Sequence, residues 1–131
     1  EFAPDAVVVC CGADALSGDP LSAMSLSNGA LWTAVESAIA HAGPSVVVGG
    51  GGYNPWTVAR CWTGLWGKIA RYELPPRLPE AAKQVLANLE CDLIDEEDVE
   101  PAWLDTLVDA PSPGAVRTEV KHAVRTVLAK H

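Results

Sequence analysis

Basic residues are scarce in this sequence, and none occurs before Arg60. Lysine and arginine together number 9 against 17 acidic residues, so the formal net charge is −8. A protein that binds nucleic acid through a broad basic face needs a surplus of these cations to neutralise the phosphates. The composition therefore excludes that class, and we predict no direct nucleic-acid partner.

Long apolar runs and targeting signals are also missing. No stretch reaches the ~18 consecutive apolar residues of a membrane-spanning helix, so we predict no membrane association. The amino-terminal residues lack the basic segment and extended apolar segment of a secretory signal. The cysteines form no C-x-x-C pair, which argues against a structural zinc site. Reduced thiols and a cytoplasmic location are the resulting expectations.

Two short apolar runs predict strands of a parallel sheet. Residues 6–11 and 45–48 are rich in valine, and each run is followed by glycine. Runs that are apolar on both faces are typical of strands buried in parallel sheets. Between them, Ser27 is a suitable N-cap for a helix that glycine and proline terminate. The pattern predicts an α/β fold in which a parallel sheet is flanked by helices.

Further helices are expected after the second strand. Asn54 and Pro55 are typical residues at the start of a helix. The predicted helices cover residues 54–71, 79–89 and 103–108, and a last one begins near residue 116. We divide the chain into residues 1–110, which form the main body, and residues 111–131, a linker and helix.

Two strands are too few for an independent parallel sheet. Such sheets need further strands and a covering layer on each face. We therefore expect this chain to be the C-terminal part of something larger, or to associate with a second copy through an exposed strand edge.

Residues with chemical potential follow both strands. Ligand sites of open α/β sheets lie off the carboxyl ends of the strands, so Asp14 and Tyr53 are predicted at one rim. Asp14 is either a metal ligand or a loop aspartate in an Asx turn. Asp19, before Pro20, is interpreted as a turn former. Tyr53 either donates a hydrogen bond to an oxyanion or simply packs half-buried.

Four consecutive glycines occupy residues 49–52. They let the backbone approach a ligand closely. An anion-binding loop at the helix start is an alternative reading, although the lysine of a P-loop is missing.

Together these residues resemble a known family. The segments CGADALSGDPL at 11–21 and GGGGYNPWTVARCWT at 49–63 resemble the C-terminal half of zinc-dependent histone deacetylases. The four-glycine form is most similar to the bacterial branch that includes acetoin-utilisation deacetylases. The resemblance implies the C-terminal portion of an arginase/deacetylase-like three-layer fold. It also implies hydrolysis of acetyl-lysine or a small acetylated amine.

The resemblance further implies roles for individual residues. Asp14 matches a ligand of the catalytic Zn²⁺, and Tyr53 matches the tyrosine that polarises the acetyl carbonyl and stabilises the oxyanion. Gly51 and Gly52 match the backbone that walls the substrate channel.

The sequence also departs from the family pattern. The family's Asp-x-His and His-His pairs have no counterpart, because the histidines are His41, His122 and His131. Cys10 stands where the family has glutamine. A catalytic zinc takes about three protein ligands, so we expect this chain alone to be an inactive fragment that lacks its N-terminal part. The alternatives are a non-catalytic, self-associating module and an anion pocket at the glycine loop.

Overall fold

The computed structural model describes residues 3–41, 43–111 and 114–130. Its sheet pairs β1 (Val7–Cys10) with β2 (Ser45–Val48) in parallel. The middle of the predicted linker, residues 112 and 113, and His131 lie outside the described residues. The α/β class with a parallel sheet and flanking helices is confirmed.

The helices follow the order that the sequence predicts. They are α1 (Asn28–Ile39), α2 (Pro55–Ile69), α3 (Glu80–Ala87), α4 (Pro101–Asp105) and α5 (Thr118–Leu128). Short 3₁₀ turns cover Ala13–Ala15 and Glu96–Asp98. Within the described ranges, none of the helices has the length and apolar character needed to cross a bilayer.

Both predicted N-caps are confirmed. The Ser27 hydroxyl accepts a hydrogen bond from the Ala30 amide, and the Asn54 side-chain oxygen accepts from the amides of Trp56 and Thr57. These bonds satisfy amides that have no partner within the first turn of a helix.

Two helix boundaries differ from the prediction. Helix α2 ends at Ile69 because Arg71 takes a left-handed conformation, with φ of 59°, and the Tyr72 amide turns back to the Gly67 carbonyl. Helix α4 begins at Pro101, earlier than predicted, because proline suits the first helical position. It ends before Thr106, whose backbone is extended.

The main core lies between one face of the sheet and helices α1 and α2. Trp32 anchors it at 1% exposure, and its indole nitrogen donates to the Cys61 carbonyl at 3.0 Å. The indole lies over Gly64, where a Cβ would overlap it. The buried members of this core are Cys11, Ala13, Leu16, Leu31, Trp32, Val35, Cys61 and Leu65.

The prediction that the strands are buried on both faces is wrong for the described residues. Alternate side chains of a strand point to opposite faces of the sheet. Val9 and Val47 pack against the core, whereas Val8 and Val46 are 69% and 55% exposed. Helices cover one face of the sheet, and the other face carries uncovered valines.

A buried cation fastens residues 106–109 to the two core helices. Arg60 is 2% exposed, and its Nη2 lies 2.7 Å from Asp109 Oδ1. Its Nε donates to the Thr106 carbonyl at 2.6 Å. The other Asp109 oxygen accepts from the Asn28 amide at 2.7 Å, while the Asn28 side chain donates to the Leu107 carbonyl at 2.8 Å. The network therefore links α1, α2 and the segment that follows α4.

We expect Asp109→Ala to lower the free energy of unfolding by about 3 kcal/mol, because it leaves the buried Arg60 cation without its partner. This is the low end of the range for buried pairs, since the Asp109 side chain keeps 22% exposure. Urea denaturation measures the change. The exposed Asp98→Ala is the matched control and should shift stability by less than about 0.5 kcal/mol. Equal effects of the two variants would contradict the role of the Arg60 ion pair.

Candidate functional site

Hydrogen bonds join the loops that follow the two strands. The Cys11 amide donates to the Val48 carbonyl at 3.1 Å, continuing the parallel pairing beyond β1. The Ala13 amide then donates to the Gly51 carbonyl at 2.7 Å. The loop that begins at Cys11 and the glycine loop therefore run side by side at the carboxyl edge of the sheet.

The Asp14 carboxylate lies directly against the backbone of both loops. A Cβ on Gly12 would overlap Asp14 Oδ1, and a Cβ on Gly51 would overlap Asp14 Oδ2. The structure thus brings together Asp14 and Gly51, two of the residues that the sequence singles out. Any larger residue at position 51 would have to displace the carboxylate, and one at position 12 would also meet the Gly51 backbone.

Gly52 is required for a conformational reason as well. Its φ is 149°, which side chains rarely tolerate. A Cβ there would lie 2.7 Å from Val58 Cγ2 and 3.1 Å from the Ala13 Cβ. This conformation takes the chain from the glycine loop into Tyr53 and the cap of α2.

The backbone of Tyr53 is held on both sides, while its side chain is open. Its amide donates to Asp19 Oδ2 at 2.8 Å, and its carbonyl accepts from the Cys91 thiol at 3.7 Å. The residue is 45% exposed. The phenol therefore projects from an ordered backbone at the rim that also carries Asp14.

Asp19 forms a local turn and also a hydrogen bond to a residue far away in the sequence. Its Oδ1 accepts from the Leu21 amide at 3.0 Å, which confirms the predicted turn. Its second oxygen reaches Tyr53, 34 residues along the chain, and Asp19 is 7% exposed. The turn signal of aspartate before Pro20 does not reveal this partner, because nothing local in the sequence distinguishes a turn aspartate from one that also bonds a distant amide.

The backbone amides at the start of α2 already donate hydrogen bonds to side chains of the protein. Asn54 is fully buried and caps the amides of Trp56 and Thr57, while its Nδ2 donates to the Gly18 carbonyl at 2.9 Å. The Tyr53 amide is bonded to the Asp19 carboxylate. These donors face oxygen atoms of the protein itself.

The cysteines near the site are held by backbone carbonyls. Cys10 Sγ donates to the Gly49 carbonyl at 3.2 Å, and Cys11 Sγ donates to the Val48 carbonyl at 3.8 Å. Burial raises the pKa of the Cys11 thiol, with a smaller contribution from Cys10. Cys11 is therefore a weaker acid than an exposed thiol, and its Sγ is already engaged with the Val48 carbonyl.

Neither histidine of the described residues belongs to a cluster of metal-ligating side chains. His41 follows α1, whose C-terminal end leads into the start of β2, at the opposite edge of the sheet. Its Nδ1 is 2.6 Å from the Ser37 carbonyl oxygen. His122 lies in the exposed helix α5. Across residues 3–41, 43–111 and 114–130, no group of three or more metal-ligating side chains forms.

Asp14 suits the role of one carboxylate ligand to a metal ion. The glycines bring backbone close to its oxygens without side chains in the way. A catalytic zinc takes about three protein ligands and leaves one position for water or substrate. The described residues offer one such donor at this rim, so a complete zinc site requires donors from outside them.

Comparison with known proteins places these motifs in a family. Residues 1–69 match the histone deacetylase domain. Histone deacetylase 8 of Danio rerio is 34% identical over 79 residues, and Histone deacetylase clr6 of Schizosaccharomyces pombe is 41% identical over 78 residues. Each alignment covers 60% of this chain, but only 21% and 19% of those relatives.

Solved structures show the same arrangement over nearly the whole chain. A crystal structure of an HDAC homolog from Aquifex aeolicus has a TM-score of 0.86 at 35% identity, and an HDAC homolog complexed with SAHA has a TM-score of 0.77 at 31% identity. Both comparisons cover 95% of this chain and 34% of the solved one. The chain thus spans about a third of the solved homologues and about a fifth of the curated relatives. With residues 1–69 of its 131 matched to the domain and its fold shared with these homologues, this chain belongs to the histone deacetylase family.

Proposed function

We propose that this chain is the C-terminal part of a zinc-dependent amidohydrolase that removes acetyl groups from acetyl-lysine or a similar acetylated amine. The observation that carries the proposal is the Asp14 carboxylate packed against Gly12 and Gly51, on the loop pair that ends in the exposed Tyr53. Family membership supports deacetylation in general terms. Because a homologue has been solved in complex with SAHA, we expect that compound to bind the intact protein as well.

Tyr53 is the residue that contacts the reacting carbonyl. As water adds to the acetyl carbon, the carbonyl oxygen becomes an oxyanion, and the phenol donates a hydrogen bond to it. A donor that is already oriented contributes most where charge develops, because it needs no reorganisation during the reaction. The fixed backbone of Tyr53 and its open side chain suit this task.

Asp14 would be one ligand of the metal. Zinc, when bound, polarises the acetyl carbonyl and lowers the pKa of a bound water. Gly51 and Gly52 would wall the substrate channel, where the lack of side chains lets a narrow acyl-lysine pass. The remaining ligands and the acid/base pair would come from an N-terminal part of the protein, because the described residues form no group of three or more metal-ligating side chains.

The anion-binding alternative fits the geometry poorly. An anion at this helix start would need free amides, but Asn54 caps those of Trp56 and Thr57, and Asp19 accepts from that of Tyr53. Two carboxylates, those of Asp14 and Asp19, also lie on this loop pair. Their negative charges would repel an anion.

One observation favours a second candidate, a non-catalytic module that associates with itself. Val8, Val46 and Val48 are 69%, 55% and 39% exposed, and they stand on a two-stranded sheet. An apolar sheet face of this kind packs readily against another apolar layer, and the edges of a two-stranded sheet can pair with a further strand. Activity and self-association of the full-length native protein separate the two candidates, because the isolated chain is expected to be inactive and associated under both.

The branch and the cellular location complete the proposal. The four glycines at 49–52, together with Ala59, Arg60, Cys61 and Trp62 further along, favour the bacterial branch that includes acetoin-utilisation deacetylases. We place the protein in the cytoplasm, which also suits its free cysteines.

In the intact protein, we expect Asp14→Ala to lower zinc content and deacetylase activity together, because one anionic ligand of a small set is lost. Metal analysis of the purified protein and an acetyl-lysine assay measure the two effects. Asp98→Ala, which removes an exposed carboxylate, is the control. Full zinc occupancy in Asp14→Ala would remove this residue from the metal site.

We expect Tyr53→Phe in the intact protein to keep its zinc and its fold but to slow turnover by roughly a hundredfold or more, as for the loss of one oxyanion donor. The hydroxyl is the only group removed and the ring stays, so circular dichroism and metal content should match the unaltered protein. Turnover near the unaltered rate would refute the role of this hydroxyl.

The 131-residue chain alone should neither hydrolyse acetyl-lysine nor hold zinc tightly, because the described residues form no group of three or more metal-ligating side chains to join Asp14. It should also form dimers or larger assemblies that cover β1 or β2. A zinc-dependent assay and light scattering test both statements. Stoichiometric zinc with chelator-sensitive turnover would contradict the first statement, and a stable monomer would count against the second. Self-association of the full-length native protein, with no activity, would favour the non-catalytic module.

A further inference from the structure

Asp19 is a buried carboxylate whose two oxygens accept hydrogen bonds from two different backbone amides. Oδ1 accepts from the Leu21 amide at 3.0 Å and closes the local turn, while Oδ2 accepts from the Tyr53 amide at 2.8 Å. Asp19 is 7% exposed, and none of the ion pairs within the described residues includes it. Burying a carboxylate without a cation is unfavourable unless hydrogen bonds compensate. Both compensating donors are backbone amides.

The geometry requires a carboxylate and not an amide at this position. Two donors approach two different oxygens of Asp19. An asparagine offers one acceptor oxygen, and its NH₂ group would face an N–H. Asp19→Asn therefore keeps the size of the side chain but loses one of the two bonds.

The loop that carries Asp19 is itself fixed. Gly18 has φ of 84°, and a Cβ there would overlap the indole ring of Trp103. The Gly18 carbonyl accepts from Asn54 Nδ2 at 2.9 Å. Gly18, the residue before Asp19, is therefore held by the Asn54 side chain and packed against the buried Trp103.

We propose that Asp19 is a positioning residue that orients the Tyr53 phenol by holding the Tyr53 backbone amide. This inference rests on the proposed function, because it assigns Asp19 to the reaction through Tyr53. Only a backbone bond connects the two residues, so the Tyr53 side chain stays free to meet substrate. Gly52, which has a positive φ, directly precedes Tyr53. The hydrogen bond to Asp19 fixes the position of the Tyr53 backbone after that residue.

The test is a double-mutant cycle in the intact protein with an acetyl-lysine substrate. We expect Asp19→Asn to lower kcat by about a hundredfold with KM little changed, since a small misplacement of a catalytic group has effects of this size. In the Tyr53→Phe background the same change should lower kcat by less than about threefold, because the hydroxyl to be positioned is gone. Zinc content should be normal in every variant, and Asp98→Asn is the matched charge control.

A second variant removes the hydrogen bond without touching Asp19. Replacing the Tyr53 amide nitrogen with an ester oxygen deletes the donor and keeps both side chains. We expect the ester to reproduce the loss of kcat, also if Asp19→Asn fails to fold. Normal kcat in the ester variant would overturn the proposal. Equal losses from Asp19→Asn in both backgrounds would also overturn it, because the residue would then act through the fold. Full activity of Tyr53→Phe would refute the role of Tyr53 itself, and the positioning role with it.

Discussion

The hydrogen bond from the Ala13 amide to the Gly51 carbonyl is the contact on which the site depends. At 2.7 Å it extends the pairing of two four-residue strands beyond the sheet and sets the distance between two loops. The Asp14 carboxylate lies against both loops, at positions where Gly12 and Gly51 carry no side chain. Parallel pairing at the sheet edge therefore determines the placement of a chemical group that belongs to neither strand.

The rim is supported by the two hydrophobic clusters of the described residues. The main core, around Trp32, packs α1 and α2 against one face of the sheet. A second cluster of Trp56, Leu86 and Trp103 fixes α3 and α4 against α2, and Trp103 also contacts the loop at Gly18. The sites of α/β proteins commonly sit on loops that a rigid scaffold positions. Here the scaffold reaches the loop on two sides, through the cap of α2 and through an indole.

The sequence was sufficient for features whose causes are local. Ser27 and Asn54 were recognisable as caps because a capping side chain bonds amides two or three residues away. The family was recognisable because its two motifs follow the two strands. The bonds from Asp19 to Tyr53 and from Arg60 to Asp109 leave no local signal, because their partners are distant in sequence and only the folded backbone brings them together. The sequence likewise does not determine the burial of the strands, because a valine-rich run does not tell which of its faces has a covering layer.

The packing of the Asp14 carboxylate against Gly12 and Gly51 restricts which residues these two positions can carry. At Gly12 and Gly51 the carboxylate oxygens occupy the volume in which any other residue would place its Cβ. Even alanine, the smallest replacement, must therefore displace the carboxylate or separate the loops. A glycine-to-alanine change at either position changes neither charge nor polarity, and substitution scores based on residue similarity would rank it as mild. Such a change would nevertheless move the acid that the site uses, so two positions without side chains help to determine where the carboxylate lies.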